Sequence, residues 1–523
     1  MLENVRRSAA GFLFLFLTTP LVLAQDAQPI PAGPLTLEQV LELAESRSEA
    51  VGIARTGVQR AEGEQVRARS GRFPQLNASA GYDRALASEF SGIFGGGTTE
   101  TPCSPFTLDP AAALPDRVTE IERAIDCGAV GTSFFGGGDG GGEDTELDLP
   151  FGRKNTWRVN LVFSQSVYSG GRLGAQADIA SAGRESAELG LTAARARLLF
   201  DATQAFYDAA LSERLVQIAE ATVAQAEATV RQLQAGFDAG AQPEFEVLRA
   251  RVSRDAQRPV VIRQRANREI ALLRLKKLLD LPPDYNLQIV PALDGPVAPP
   301  PAFAERLLVV EAQAASVEAA VSRTPVKEAA SVVRLREASL RAALAEKRPA
   351  VSVTSNYSNV AYPTGLFPTG DYRTNWTVGA SVNVPILTGG RQRGSEMVAR
   401  ADLEQSRLQL RLVEELSLLD ARSAQAELTA AMAVLEASAG TIEQATRAYQ
   451  IAEVRFQSGV STQLELADAR LLLQLAEANR AQAARDLQVA RARVALLPDL
   501  PLGVSSGITA LPVPQSGGRG GNQ

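Results

Sequence analysis

The sequence predicts an α+β membrane protein made of two structural repeats, each supplying a pair of β-strands followed by long antiparallel helices. Three observations predict it. The chain repeats itself at a fixed offset; proline-free, alanine-rich stretches alternate with short segments of period-two hydrophobicity; and the first residues read as an export signal. Composition removes several function classes. A formal charge of −6 over 523 residues offers no basic face for nucleic acid. The chain has no histidine, the commonest general base and metal ligand, and the residues form no nucleophile cluster, so neither an enzyme nor a cofactor is expected.

Residues 1–24 open with Arg6 and Arg7, continue through an apolar run from Gly11 to Leu23, and reach Ala24. A basic start, a short apolar run and a small residue make a secretory signal peptide with cleavage expected after Ala24. The run is shorter than the ~20 residues a spanning helix needs. Cys103 and Cys127 are the only thiols. In an oxidising export compartment their expected fate is a disulfide, since C-x-x-C spacing is absent.

The repeat organises the rest. Ser169-Gly170-Gly171-Arg172 returns as Thr388-Gly389-Gly390-Arg391, an offset of 219 (389 − 170). Trp157 and Trp376 keep that offset, as do Phe237-Asp238-Ala239-Gly240 with Phe456-Gln457-Ser458-Gly459, and Arg251 with Arg470. Upstream, Pro74 matches Pro349 at 275 (349 − 74), so the first copy holds 56 extra residues (275 − 219). They fall in a glycine-rich stretch containing both cysteines. The first repeat is therefore placed at 25–302, with strands at 73–90 and 151–168, an external loop at 91–150, and helices at 171–235 and 244–280. The second is placed at 303–497, with strands at 350–360 and 374–387 and helices at 391–455 and 463–497. A disordered tail is expected at 498–523, ending Gly-Gly-Arg-Gly-Gly-Asn-Gln.

The strands are read from alternation. Trp157, Val159, Leu161 and Phe163 share one face, and Trp376, Val378, Ala380, Val382 and Val384 do the same in the second copy. Asn77, Ser79 and Gly81, then Ser352, Thr354 and Asn356, mark the polar face of the preceding strands. Such strands fit a transmembrane barrel, and equally a sheet on a soluble core. The long helices lack a single apolar stripe and carry charges on several sides, which suits side-by-side packing with water on both faces. Four strands cannot close a barrel when the smallest single-chain barrels have eight, and open edges are not tolerated in lipid. If the strands are membranous, several chains must each donate four.

Taken in order, the prolines Pro74 and Pro349, the Gly-Gly-Arg runs at 170–172 and 389–391, the Phe-x-x-Gly turns, and Arg323-Thr324-Pro325 at a helix head resemble the TolC family of outer-membrane efflux proteins. The first copy has Ser48-Glu49-Ala50 in place of that helix head. The resemblance covers Leu35 to about Leu497. It implies a homotrimer in the outer membrane, with a twelve-stranded β-barrel (3 × 4) among lipid and a twelve-helix α-barrel in the periplasm. It further implies an exit duct for an inner-membrane transporter, joined through a periplasmic adaptor in tripartite efflux or type I secretion. The alternative is a non-pore periplasmic coiled-coil structural or adaptor protein.

A duct needs a docking surface and a gate. The turns around Gly240 and Gly459, with Phe237, Phe456 and Ser461, are the candidates for adaptor docking. Glu246, Glu465 and Asp468, just inside the returning helices, are the candidate gate. Glu465 and Asp468 are three apart and share a helix face, so three chains would stack them as carboxylate rings that select cations. Thr462-x-x-Glu465 also reads as a capping box. The family's tip arginine corresponds here to Ser461, so a closed-state latch must use other groups. Trp157 and Trp376 are expected in an interfacial aromatic belt.

Overall fold

The computed structural model describes residues 33–86, 104, 106–126, 155–290, 293, 298–313, 320–363, 365–367 and 372–503. The signal peptide, Cys103, Cys127 and residues 504–523 lie outside them. The chain divides into a helical unit (described part 33–70, 170–348 and 385–503) and a sheet unit (71–169 and 349–384).

The helical unit begins with α1 (Leu37–Arg47) and α2 (Glu49–Ser70). Thr36 caps α1 in a reciprocal box with Gln39. α4 (Arg172–Asp238) and α8 (Arg391–Gln457) each run 67 residues, roughly 100 Å at 1.5 Å per residue. They return as α5 (Glu244–Leu278) and α9 (Gln463–Leu496), and α6 (Pro301–Gln313) and α7 (Thr324–Ala345) lead into the strands of the second repeat. α4 packs on α1, α2, α5, α7 and α9, and α8 on α7 and α9. Alanines 193, 196, 202, 205, 209 and 210 of α4 are buried, which lets helix backbones approach closely. Larger apolar side chains gather where α1, the middle of α4 and the ends of α5 and α9 meet, around Val40, Phe206, Leu275 and Leu496. α5 runs through Pro259, which forfeits one i→i−4 hydrogen bond without ending the helix.

Both long helices start from a glycine pair in the left-handed region: Gly170 (φ +65°) with Gly171 (+95°), and Gly389 (+56°) with Gly390 (+85°). Gly170 is also crowded. A Cβ there would sit 2.6 Å from Arg348 Cβ and 2.9 Å from the Ala345 carbonyl.

The expected disordered tail starts too early at 498. Leu500 is 3% exposed within the core, Pro498 O accepts from Thr324 N–H (2.8 Å), and Thr324 Oγ1 donates to Asp499 (2.9 Å). Arg323 explains the order. It is 2% exposed and donates to the carbonyls of Leu497 (2.9 Å) and Ser417 (2.9 Å) and to Asp420 (2.8 Å). Asp420 is shared with buried Arg493 at 2.8 Å. A buried guanidinium needs acceptors, and the start of the tail supplies them.

In the sheet unit, β1 (Gln75–Arg84), β2 (Asn155–Tyr168), β3 (Ala350–Ala361) and β4 (Tyr372–Asn383) form an antiparallel meander in that order. Strand limits are corrected at two places. β1 ends at Arg84, with 85 and 86 outside it and 87–90 not described. β4 stops at Asn383 rather than 387, because Pro385 has no N–H for a ladder. The segment read as an irregular loop at 91–150 contains a helix, α3 (Leu114–Asp126). Among the described residues no helix is long and apolar enough to cross a membrane.

The register carries the duplication into three dimensions. Tyr82 lies opposite Trp157, and Tyr357 lies opposite Trp376. Every β1–β2 pair has its image in the β3–β4 hairpin at offsets of 275 and 219, and that hairpin adds Val360–Arg373 and Ala361–Tyr372. Ladder partners share a face, so Leu76, Ala78, Ala80 and Tyr82 continue through Phe163, Leu161, Val159 and Trp157 as an apolar face. Tyr357, Trp376, Val378 and Val382 extend it across β3 and β4, interrupted by Ser355 and Asn359. The opposite face is mainly polar, with Asn77, Ser79, Asn160, Thr354 and Ser381, and an Arg158–Asp83 ion pair at 3.3 Å. Among the described residues, β1 and β4 each keep one edge unpaired.

Candidate functional site at the hairpin tips

The two helical hairpins reverse by the same device. Gly240 (φ +71°) donates its N–H to Phe237 O (2.8 Å), and the Ala241 and Gln242 amides close onto Gly236 O (2.8 and 3.2 Å). At the image positions Gly459 (φ +75°) donates to Phe456 O (3.0 Å), and the Val460 and Ser461 amides close onto Arg455 O (2.9 and 3.2 Å). Positive φ lets these amides meet the last helix carbonyls, and glycine takes it without a Cβ clash. Phe237 is 40% exposed, whereas Phe456 is half-buried between Val230, Leu233 and Val247 of one hairpin and Tyr449 and Leu466 of the other.

The candidate carboxylates differ in how far they are engaged. Glu246 is half-buried and faces the buried Gln463 amide, whose nitrogen lies 3.2 Å from its Oε2 when oriented to satisfy both ends. Glu465 accepts the Ser461 hydroxyl at 2.6 Å and lies 3.8 Å from Arg455. Its amide donates to Thr462 Oγ1 at 3.4 Å. Only this arm of the expected capping box forms, since Ser461 and Arg455 draw the carboxylate away from the Thr462 amide. Asp468 is exposed and has no hydrogen bond or ion pair among the described residues. Its image in the first repeat is Arg249 (468 − 219), so the two hairpins present opposite charges there.

Sequence reasoning missed the polar links between the hairpins. Arg470 of α9, 8% exposed, donates to Thr229 Oγ1 of α4 at 2.9 Å. It also reaches the Tyr449 hydroxyl, which in turn contacts Glu453 at 3.4 Å. Burial, helped by Glu453, raises the Tyr449 pKa. The available signal was the offset that pairs Arg470 with Arg251. Arg251 instead bonds within its own hairpin, to Gln234 Oε1 at 2.7 Å.

Trp157 and Trp376 belong to the sheet unit. The Trp157 indole N–H donates to Leu366 O (2.9 Å), and its ring lies 4.9 Å from that of Tyr82. The Trp376 N–H donates to Ser355 Oγ (2.9 Å). No cluster of metal-ligating side chains occurs among the described residues.

No curated protein matches the chain in sequence. Several solved structures share its fold. The outer membrane protein VceC of Vibrio cholerae is 17% identical with a TM-score of 0.62, covering 88% of this chain and 96% of its own. The CmeC outer membrane channel of Campylobacter jejuni is 15% identical with a TM-score of 0.64, covering 89% and 86%. The MtrE outer membrane channel of Neisseria gonorrhoeae, in its open state, is 18% identical with a TM-score of 0.62, covering 89% of each chain. The family model described as outer membrane efflux protein matches residues 134–280 and 315–516. The chain belongs to this TolC-like outer membrane efflux protein family, and its place is the outer membrane.

Proposed function

We propose that three copies of the chain assemble into an exit duct, receiving substrates from an inner-membrane transporter through a periplasmic adaptor and releasing them outside. The observation that carries this is the sheet: one face is largely apolar, the other largely polar, and both edges are bare. Extending the repeat makes the β4 edge of one copy complementary to the β1 edge of the next, as β2 is to β3. The faces then agree, with Val382 and Ala80 on the apolar side and Asn383 and Ser79 on the polar side. Closing twelve strands this way leaves no open edge in lipid. The apolar face meets outer-membrane lipid, with Trp157 and Trp376 in its aromatic belt, and the polar face lines the conduit. Exposed Phe245, Leu248, Val252 and Ile262 on α5 supply a similar unpartnered seam for a neighbouring helix.

The hairpin turns carry adaptor docking in this reading, with Phe237, Gly240, Gly459 and Ser461 at the surface and Phe456 holding the two tips together. Asp468 is the gate carboxylate, because Glu246 and Glu465 are already engaged within the chain. Drug efflux and type I secretion both fit such a duct. The test is extraction of outer-membrane fractions without boiling, followed by conductance in planar bilayers. A heat-modifiable trimer that conducts, and whose cation preference falls in Asp468→Asn, supports the reading. A soluble, non-conducting protein overturns it in favour of a periplasmic structural or adaptor role.

A further inference from the structure

The segment joining β1 to β2 carries a helix with one side uncovered. α3 presents Leu114, Val118, Ile121 and Ile125 at 39–72% exposure. Its opposite side is occupied, where Arg123 is held by Glu120 (2.6 Å) and the Ser104 carbonyl (3.2 Å), and Ala124 on the flank is fully buried. The four apolar residues advance in steps of four, three and four, the a/d seam of a coiled coil. With Leu114 and Ile121 at d and Val118 and Ile125 at a, Arg117 falls at g and Glu122 at e. In parallel helices these are the flanking positions that pair between neighbours. Neither residue has an ion-pair partner among the described residues. Ile121 at d with Ile125 at a is the pattern of three strands or more, while Leu114 at d with Val118 at a also suits two, so the number of copies is set by the assembly.

We propose that α3 is a self-docking surface: one α3 from each of three subunits meets as a parallel bundle, with Leu114, Val118, Ile121 and Ile125 inside and Arg117 facing Glu122 of the neighbour. This rests on the three-copy assembly proposed above. A lipid surface fits less well, because interfacial helices carry an excess of Lys and Arg. α3 carries Asp116, Glu120, Glu122 and Asp126 against Arg117 and Arg123. At 13 residues the helix is too short to associate alone. Tethering within one assembly raises its effective concentration to about the millimolar range. Chain length allows it: 19 residues lie between β1 and Ser104, which Arg123 holds (104 − 84 − 1), and 28 between α3 and β2 (155 − 126 − 1). Extended, these reach at most ~60 Å and ~90 Å.

The test places a single cysteine in outer membranes, in a chain with Cys103→Ser and Cys127→Ser. Oxidation of Ile121→Cys is expected to give a covalent dimer on denaturing gels, while Asp116→Cys, on the opposite side of the helix, stays monomeric. A charge-swap series in the otherwise unaltered chain guards against damage from losing the native cysteines. Glu122→Arg alone should lower the temperature at which the trimer dissociates, and Arg117→Glu with Glu122→Arg should restore it. If Ile121→Cys does not crosslink and the swap does not restore, while native mass still gives three copies, the α3 contact is wrong and the assembly stands. If native mass gives one copy, both fall.

Discussion

Arg470 and Thr229 lie 241 residues apart in sequence and meet in the buried seam between α9 and α4, where the guanidinium donates to the threonine hydroxyl at 2.9 Å. The repeat supplies its own control, since Arg251 occupies the image position and turns to half-buried Gln234 in a solvent-exposed hydrogen bond. Thr229→Val keeps the shape and removes the acceptor. It should cost about 1–3 kcal/mol, the penalty for an unsatisfied buried donor. Arg251→Ala should change stability by no more than about 0.5 kcal/mol. Denaturant midpoints of the detergent-solubilised protein measure both, and equal effects would contradict the assignment of Arg470 to the seam.

Asp420 stands between two guanidinium groups that are almost wholly buried, Arg323 and Arg493, each 2.8 Å away. Asp420→Ala leaves Arg323 with no carboxylate and Arg493 with Glu427 alone, and should destabilise by about 3–5 kcal/mol. Glu427, half-exposed beside Arg493, should lose less than about 1 kcal/mol on conversion to alanine. Thermal unfolding of the two variants ranks them.

The glycine pairs give a second internal comparison. Gly389→Ala meets only the left-handed backbone cost of about 1–2 kcal/mol, because nothing lies within 4 Å of its Cβ. Gly170→Ala bears that cost and also drives a Cβ into Arg348 and the Ala345 carbonyl. Gly170→Ala should therefore unfold at clearly lower denaturant; matching midpoints would refute the crowding at Gly170.

Burial raises the pKa of Glu328 in α7. An acid whose folded pKa lies above its unfolded value opposes folding once pH exceeds the unfolded value of about 4.3. Glu328→Gln should then be more stable than the parent at pH 7, with the advantage fading as pH falls to 4. A constant difference across that range would show that desolvation of the carboxylate is not responsible.

Much of this architecture was legible because the chain states it twice. Trp157 and Trp376 share an offset with the glycine turns, and that offset reappears as strand register. The repeat could not foretell where its copies diverge. Trp157 reaches Leu366 in the β3–β4 connection, while Trp376 bonds to Ser355 in the neighbouring strand. Arg323 read as the head of a helix; its burial depends on Ser417, Asp420 and Leu497, which no local pattern exposes. The same contacts order 498–503, where composition alone pointed to disorder. α3 escaped notice because the insertion was judged by its glycine content, although the four–three–four spacing of Leu114, Val118, Ile121 and Ile125 was present. Among the gate carboxylates, the capping box at Thr462 already set Glu465 apart from Asp468, but the engagement of Glu246 by Gln463 and of Glu465 by Ser461 and Arg455 was not legible.

The central claim is that the sheet closes between copies, and the repeat predicts the register. β2 pairs with β3 so that Phe163 faces Ser355. Shifting by 219 and 275 places Val382 of one copy opposite Ala80 of the next (163 + 219 and 355 − 275). With Cys103 and Cys127 replaced by serine, Ala80→Cys and Val382→Cys in the same chain should crosslink on oxidation into covalent dimers and trimers. Ala78→Cys with Val382→Cys should crosslink far less. Monomers alone from the first pair, in protein recovered from the outer membrane, would contradict closure of the barrel between subunits.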